Sequence, residues 1–335
     1  MGLPGEGECP RERPSRWKRL VVSEYWVLYL SIVCFLALFP FTPRLASVEN
    51  LRNIFSNMLP LLIVAIGETI VLITGGIDLS VTSVIGLSSV TGASIMSSDQ
   101  GLLAGNPAAP AAAIGGMVLV GALVGWLNGV AVTRLRMPPF IVTLTAMMFF
   151  SGLAVWLTQS RPIYDLPARF NELGQGAWLW VPNAFVIAGL LAVSAHVLLS
   201  RSLLGRWIYA VGTNAKTSLI SGVPVNRVIT FAYIASGGCA AVASILYTAR
   251  LETGSPVLGQ RILLDVIGAT VIGGTSLFGG KGRALWTIMG VLFICLIDNS
   301  LNMLGLSYFV VMMVKGGIIL LAALMDAART RVLAE

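Results

Sequence analysis

Apolar runs of about 20 residues recur along the whole chain, separated by short polar or glycine-rich breaks. A helix rises ~1.5 Å per residue, so ~20 residues cross the ~30 Å hydrocarbon layer of a bilayer. Ten such segments are read near 25–41, 54–74, 81–97, 109–132, 140–158, 182–199, 228–249, 262–278, 284–303 and 308–325. Only 11% of the 335 residues are charged, against roughly 25% in soluble domains. The two-residue alternation of an outer-membrane barrel is absent. The pattern predicts an all-α integral membrane protein with about ten transmembrane helices, forming a single domain over residues 21–335. The segments near 81–97 and 262–278 are short and rich in Gly, Ser or Thr, and define the span count least well. Residues 1–20 read as a disordered, basic cytoplasmic tail.

The loops set an orientation. With the N-terminus inside, the inner face carries Arg11, Arg13, Arg16, Lys18, Arg19, Arg134, Arg136, Arg201, Arg206, Lys216, Arg227, Lys281, Arg283, Arg329 and Arg331. The outer face carries Arg44, Arg52, Arg161, Arg169, Arg250 and Arg261. Cytoplasmic loops accumulate Lys and Arg, so both termini are expected in the cytoplasm. An alternative is that the first segment is a cleaved signal peptide, with Leu45-Ala46-Ser47 beyond it, which would leave nine spans. The net charge of +7 is scattered among loops, which suits lipid headgroups and argues against nucleic acid.

Ionisable residues at membrane depth are costly and face a cavity or a partner. Glu68, Asp265, Asp298 and Lys315 stand out. Asp298 and Lys315 lie in neighbouring segments joined by a short turn near Gly305, so a structural ion pair between them is expected. A proton relay would need a denser chain of such groups. Hydroxyl and amide residues are more plentiful, namely Thr69, Thr74, Asn128, Thr143, Thr145, Thr270, Thr275, Ser276, Asn299 and Asn302. As a set they suit a neutral polyhydroxylated solute. Each one alone is also explained by close helix packing. Two glycine breaks share a pattern, Gly75-Gly76-Ile77-Asp78-Leu79 and Gly273-Gly274-Thr275-Ser276-Leu277. Paired breaks of this kind hint at a repeat with glycine-broken helices. Chance is a serious competitor over five positions.

Between two membrane-length runs lies GRWIYAVGTNAKTSLISGVPVNR (205–227), polar, basic and helix-forming. It sits on the face with most Lys and Arg, where it can touch something soluble. Asn214 can cap a short helix through Ala215, Ser218 and Ser221, which Gly222 and Pro224 end. On the opposite face the longest loop, 159–181, contains Asp165, Arg169 and Glu172. There Asp165 reads as the cap of a short helix with Pro167 in its first turn. Trp178 and Trp180 fit an interfacial aromatic belt.

No nucleotide-binding loop is present. The stretch Gly273–Arg283 fails the G-x-x-x-x-G-K-[ST] pattern, since Thr275 and Gly282 stand where Gly and a hydroxyl are needed. Metal-ligand spacing, a Gly-x-Ser-x-Gly elbow and paired catalytic carboxylates are missing too. Cys9, Cys34, Cys239 and Cys295 have no CxxC or Cys/His pairing, and His196 is the sole histidine. The reading is of a transport subunit, not an enzyme, with no metal and no cofactor bound by this chain. Any uphill transport draws on an ion gradient or another subunit.

Five stretches form a set, namely GETIVLITGGIDLSVTSVIGL (67–87), LVGWLNGVAVTRLRMPPFIVTLTAM (123–147), 205–227, LLDVIGATVIGGTSLFGGKGR (263–283) and SYFVVMMVKGGIILLAALMDAAR (307–329). On these the chain resembles the permease subunits of bacterial ATP-binding-cassette importers for simple sugars, in the ribose, xylose and galactoside branch. The resemblance runs from about residue 50 to the C-terminus. It implies a bacterial inner-membrane location, a second permease copy or paralogue and a periplasmic sugar-binding protein. It also implies an ATPase subunit or fused double ATPase, which would hold ATP and Mg²⁺. It implies that Asn214, Ala215, Ser218, Ser221, Gly222 and Val223 form a coupling helix on the ATPase. Thr69, Thr74, Asp78, Asn128, Thr143, Asp265, Thr270, Thr275, Ser276 and Asn299 are the expected pathway residues. Asp165, Arg169 and Glu172 are the expected binding-protein contacts. Competing readings are an importer of a nucleoside, autoinducer sugar or branched-chain amino acid, and an ion-coupled secondary transporter.

Overall fold

A computed structural model of the chain describes residues 26–42 and 44–334. The N-terminal tail through residue 20, including Cys9, lies outside the described residues.

Among the described residues, seven helices are long and apolar enough to cross a membrane. They are α2 (Val48–Ile73), α4 (Ala109–Thr133), α5 (Pro139–Thr158), α7 (Asn183–Arg201), α10 (Val225–Leu251), α12 (Ala284–Met303) and α13 (Tyr308–Ala334). Three shorter apolar helices are α1 (Trp26–Leu38), α3 (Val81–Met96) and α11 (Leu263–Ile272). The ten segments expected from sequence correspond to these two sets together. Polar connections add α6 (Ala168–Gln175), α8 (Leu203–Thr213) and α9 (Ala215–Ile220), plus a small hairpin of β1 (Ala177–Trp178) and β2 (Val181–Pro182). The bundle thus has an α9 end and a hairpin end.

At the centre stands α2, 89% of whose most apolar window is buried. It packs against α7, α10, α11 and α12. Ser47 caps its start, accepting from the Asn50 N–H at 3.2 Å, which extends the helix six residues ahead of the expected apolar run. The most extensive helix contact is that of α4 on α10. Gly121, Gly125 and Gly129 recur every four residues on α4, so they form one stripe. Added Cβ atoms there would overlap the Gly237 and Tyr233 carbonyl oxygens and the Thr230 Cα. Small residues that let backbones meet are how helices associate where lipid is as apolar as Leu.

The helix read as 262–278 stops at Ile272. Its end explains the glycine pairs. In α2, the Gly75 N–H bonds the Leu72 carbonyl and the Gly76 N–H bonds the Val71 carbonyl. In α11, Gly274 bonds Val271 and Thr275 bonds Thr270. Both are Schellman ends, which need a left-handed residue just past the helix. Gly75 (φ 81°) and Gly274 (φ 83°) supply it. The equivalent positions are therefore 75 and 274, one residue out of step with the sequence match of Gly75 to Gly273. Both helices also run the same way, from the hairpin end to the α9 end. A two-fold axis in the membrane plane reverses direction, so it does not relate them.

The outer-loop cap also differs from expectation. α6 starts at Ala168 with Pro167 in the cap position, and Asp165 is two residues earlier in a left-handed conformation (φ 59°). The proline fixes the helix entry, and the Pro167 carbonyl takes the Phe170 N–H, so no side-chain cap is used.

The glycine stripe gives a test. Gly125→Ala should destabilise the detergent-purified protein by about 1–3 kcal/mol through overpacking, read as a lower Tm. Gly152→Ala, where an added Cβ meets nothing within 4 Å, should leave the Tm near wild type. Equal Tm values for the two variants would show that α4 and α10 do not meet at the stripe.

Candidate functional site: a capped short helix, a buried turn and a polar cavity

At the α9 end the segment 205–227 carries most of α8, all of α9 and the first turn of α10. Ser202 caps α8, accepting from Gly205 N–H at 2.9 Å. Asn214 then caps α9, its Oδ1 accepting from Thr217 N–H at 2.9 Å. A third Schellman end closes α9, with Gly222 (φ 82°) bonded to Leu219 and Val223 bonded to Ser218. Asn214, Ala215, Ser221 and Gly222 are exposed, Val223 is half-buried, and Ser218 is buried against the chain itself. The outward apolar groups are Leu219 and Ile220, at 63% and 80% exposure. Sequence reading passed over these two because they look like ordinary helix residues; what marks them is exposure on a six-residue helix.

Two further elements join α8 at this end. The Gly280 N–H donates to the Ile73 carbonyl at 2.8 Å. A Cβ on Gly212 of α8 would overlap that carbonyl and crowd Gly280 N. The α2–α3 turn, the α11–α12 loop and α8 thus meet backbone to backbone.

Most of the expected pathway residues are sealed in the interior. The α2–α3 turn is gripped from several helices. Asp78 N–H donates to Glu68 Oε1 at 3.1 Å, and Asp78 Oδ1 accepts from Ser80 N–H and Oγ–H at 3.0 and 2.6 Å. Asn128 of α4 donates to Ser80 Oγ at 2.8 Å, while Thr143 of α5 donates to the Ile77 carbonyl at 3.2 Å. Thr69 and Thr287 share a hydrogen bond of 2.8 Å between α2 and α12. Thr74 and Thr270 bond carbonyls of their own helices, and Thr275 and Ser276 are buried in the α11–α12 loop.

Asp265 and Asn299 are placed differently. They line a cavity of about 370 Å³ near the hairpin end, walled by α2, α10, α11 and α12. Asn299 pairs amide to amide with Asn50, at 2.9 Å in both directions. Lys315 of α13 reaches Asp298 Oδ1 at 2.8 Å and Asp265 Oδ1 at 2.9 Å. The expected pair is a triad. Asn57 and Tyr247 also face the cavity; neither had been singled out, since both lie near helix ends that look interfacial. Beyond it, Asp165, Arg169 and Glu172 are all exposed around α6. The free thiols Cys34, Cys239 and Cys295 sit on three different helices, and no group of three or more metal-ligating side chains occurs among the described residues.

The triad ranks three substitutions. Asp298 is 43% exposed and Asp265 17%. Asp298→Asn leaves Lys315 bonded to Asp265, so the loss should stay near the surface-pair value of about 1 kcal/mol or less. Lys315→Met leaves two carboxylates facing each other and should cost about 3 kcal/mol or more. Asp265→Asn with Asp298→Asn and Lys315→Met should recover much of that loss. Tm and detergent-extracted yield check the order. If Asp298→Asn were the worst of the three, the triad would be wrong.

Comparison with known proteins places the chain. Residues 50–323 match the family model described as branched-chain amino acid transport system / permease component. The ribose import permease protein RbsC of Escherichia coli K12 is 36% identical over 289 residues, covering 85% of this chain and 88% of that one. RbsC of Bacillus subtilis is 38% identical over 283 residues, 84% and 85%. The D-allose transport system permease protein AlsC of E. coli K12 is 32% identical over 302 residues, 90% of each. No solved structure matches. The chain belongs to this family of ATP-binding-cassette permease components, and is a transport subunit of the membrane rather than an enzyme.

Proposed function

We propose that the chain is the membrane-spanning subunit of a binding-protein-dependent importer that carries a simple sugar, a ribose-like pentose or hexose, by alternating access. The observation that carries this reading is similarity along nearly the whole chain to permeases named for ribose and allose. Uncharged hydroxyl and amide groups around the hairpin-end cavity suit such a solute. The carboxylates beside them, Asp265 and Asp298, are both paired with Lys315.

In this reading the α9 end faces the cytoplasm of a bacterium with the protein in its inner membrane, and both termini are on that side. Arg134, Arg136, Arg201, Arg206, Lys216, Arg227, Lys281 and Arg283 gather there, as the inside bias of basic residues requires. The α9 helix docks on an ATPase, a separate subunit or a fused double one, which binds ATP and Mg²⁺. Leu219 and Ile220 are the anchors and Asn214, Ala215, Ser221 and Gly222 the rim. Ser218 and Val223 hold α9 on its own chain. A periplasmic sugar-binding protein sits over Asp165, Arg169 and Glu172, whose charges set its association rate. A second permease copy or a paralogue completes the pathway. Asp265 and Asn299 lie on the solute's route. Thr69, Thr74, Asp78, Asn128, Thr143, Thr270, Thr275 and Ser276 hold the packed wall that moves as access alternates. Because α8, the α2–α3 turn and the α11–α12 loop are joined through backbone, a push on α9 reaches both helix breaks as one body.

Reconstitution tests this. Proteoliposomes holding the permease, its ATPase and its binding protein should take up D-ribose or a related sugar only with ATP, and ignore a proton or sodium gradient. Leu219→Glu with Ile220→Glu should abolish uptake while membrane insertion persists, with ATP hydrolysis no longer stimulated by loaded binding protein. Gradient-driven uptake by this chain alone would overturn the reading, as would full uptake by the double variant.

A further inference from the structure

We infer that the hairpin-end cavity is a saturable subsite in which the permease itself holds one neutral polyhydroxylated solute; this rests on the sugar-importer reading above. The volume of about 370 Å³ falls inside the ~300–1,000 Å³ range of small-molecule sites. Its wall is mixed in the way a sugar needs. Asp265 and Asp298 present carboxylate oxygens that accept hydroxyl protons. Asn57 Oδ1 is taken by Arg250 Nη1 at 2.9 Å, which leaves its Nδ2 as a donor. The Tyr247 hydroxyl, hydrogen-bonded to no other described residue, can donate or accept. Ile54 and Leu61 supply an apolar side for ring carbons.

Charge on the wall is balanced. Two carboxylates are matched by two cations bonded to wall residues, Lys315 at 2.8 and 2.9 Å and Arg250 at 2.9 Å. An anion or cation would unbalance it; a neutral solute would not. Apart from the Tyr247 hydroxyl, the polar groups are held in place, Asn299 by Asn50, Asn57 by Arg250, Asn302 by Asp298 and the carboxylates by Lys315. Preorganised groups lose little freedom on binding. The subsite would let the permease discriminate among solutes after the binding protein has released them.

Cys295 lines the same cavity and reports on it. The test uses the permease–ATPase complex in nanodiscs with Cys9, Cys34 and Cys239 replaced by Ser. D-Ribose should slow modification of Cys295 by a small methanethiosulfonate several-fold and saturably, whereas glycine betaine at equal osmolality should not. Tyr247→Phe keeps the ring and removes the hydroxyl, so the half-protecting concentration should rise roughly 3- to 10-fold, the value of one hydrogen bond. If Cys295 proves unreactive, saturation-transfer NMR from the complex to D-ribose decides, with the signal falling in Tyr247→Phe. No protection and no transfer, or equal protection by betaine, overturns the subsite. If ATP-dependent sugar uptake persists in that case, the importer reading stands and only the subsite falls.

Discussion

The hydrogen bond from Gly280 N–H to the Ile73 carbonyl, 2.8 Å long, is the joint on which the α9 end depends. A helix leaves its last carbonyls unpaired, and a membrane interior offers no water to satisfy them. Here the chain answers inside α2 with Gly75 and Gly76, and from outside with Gly280 of the α11–α12 loop. Gly212 has no side chain, so α8 can lie against the same carbonyl. Three segments far apart in sequence are drawn to one point by backbone polarity, with the Tyr209 hydroxyl of α8 adding a bond to the Gly282 carbonyl at 2.7 Å. The short helix α9 follows directly from α8 and inherits that position.

The two ends of the bundle differ in their principal long-range joints. At the α9 end the Gly280–Ile73 bond and the close approach of Gly212 join segments backbone to backbone, supplemented by side-chain bonds from Tyr209, Asn128 and Thr143. At the hairpin end, joints run through side chains: the Lys315 triad, the Asn50–Asn299 amide pair and the Arg250–Asn57 contact. Side-chain bonds can exchange partners with a solute; backbone bonds at a glycine contact cannot do so without separating the helices.

Much of this was legible in sequence. The long apolar helices are set by solvent, and their length is fixed by bilayer thickness, so α2, α4, α5, α7, α10, α12 and α13 could be read directly. Asn214 followed by a short polar run and Gly222 gave α9, because capping is a local signal. What escaped reading depends on partners distant in sequence. The Gly121–Gly125–Gly129 stripe means nothing until α10 lies against it. The double glycines looked aligned at their first members, yet the left-handed position falls on Gly75 and Gly274, since the helix end and not the dipeptide sets the register. Asp298 and Lys315 were adjacent in sequence order, whereas Asp265 joins them only through the packing of α11 on α13. Hydroxyls and amides at membrane depth looked alike in sequence. Of the ten expected pathway residues, Asp265 and Asn299 line the hairpin-end cavity, while Asp78, Asn128 and Thr143 are absorbed in holding the α2–α3 turn.

In the proposed transport cycle α9 and the two helix breaks move as one unit. Distances between spin labels in the assembled transporter test it most directly. Lys216 of α9 and Phe278 of the α11–α12 loop are both exposed, and a label pair on Lys216→Cys and Phe278→Cys spans the joint. A second pair, on Lys216→Cys and Arg169→Cys, spans the bundle. Between the nucleotide-free and ATP-trapped states, the first distance should stay fixed while the second changes. A change in the first distance with the second constant would mean that α9 slides on the bundle, and would contradict the account.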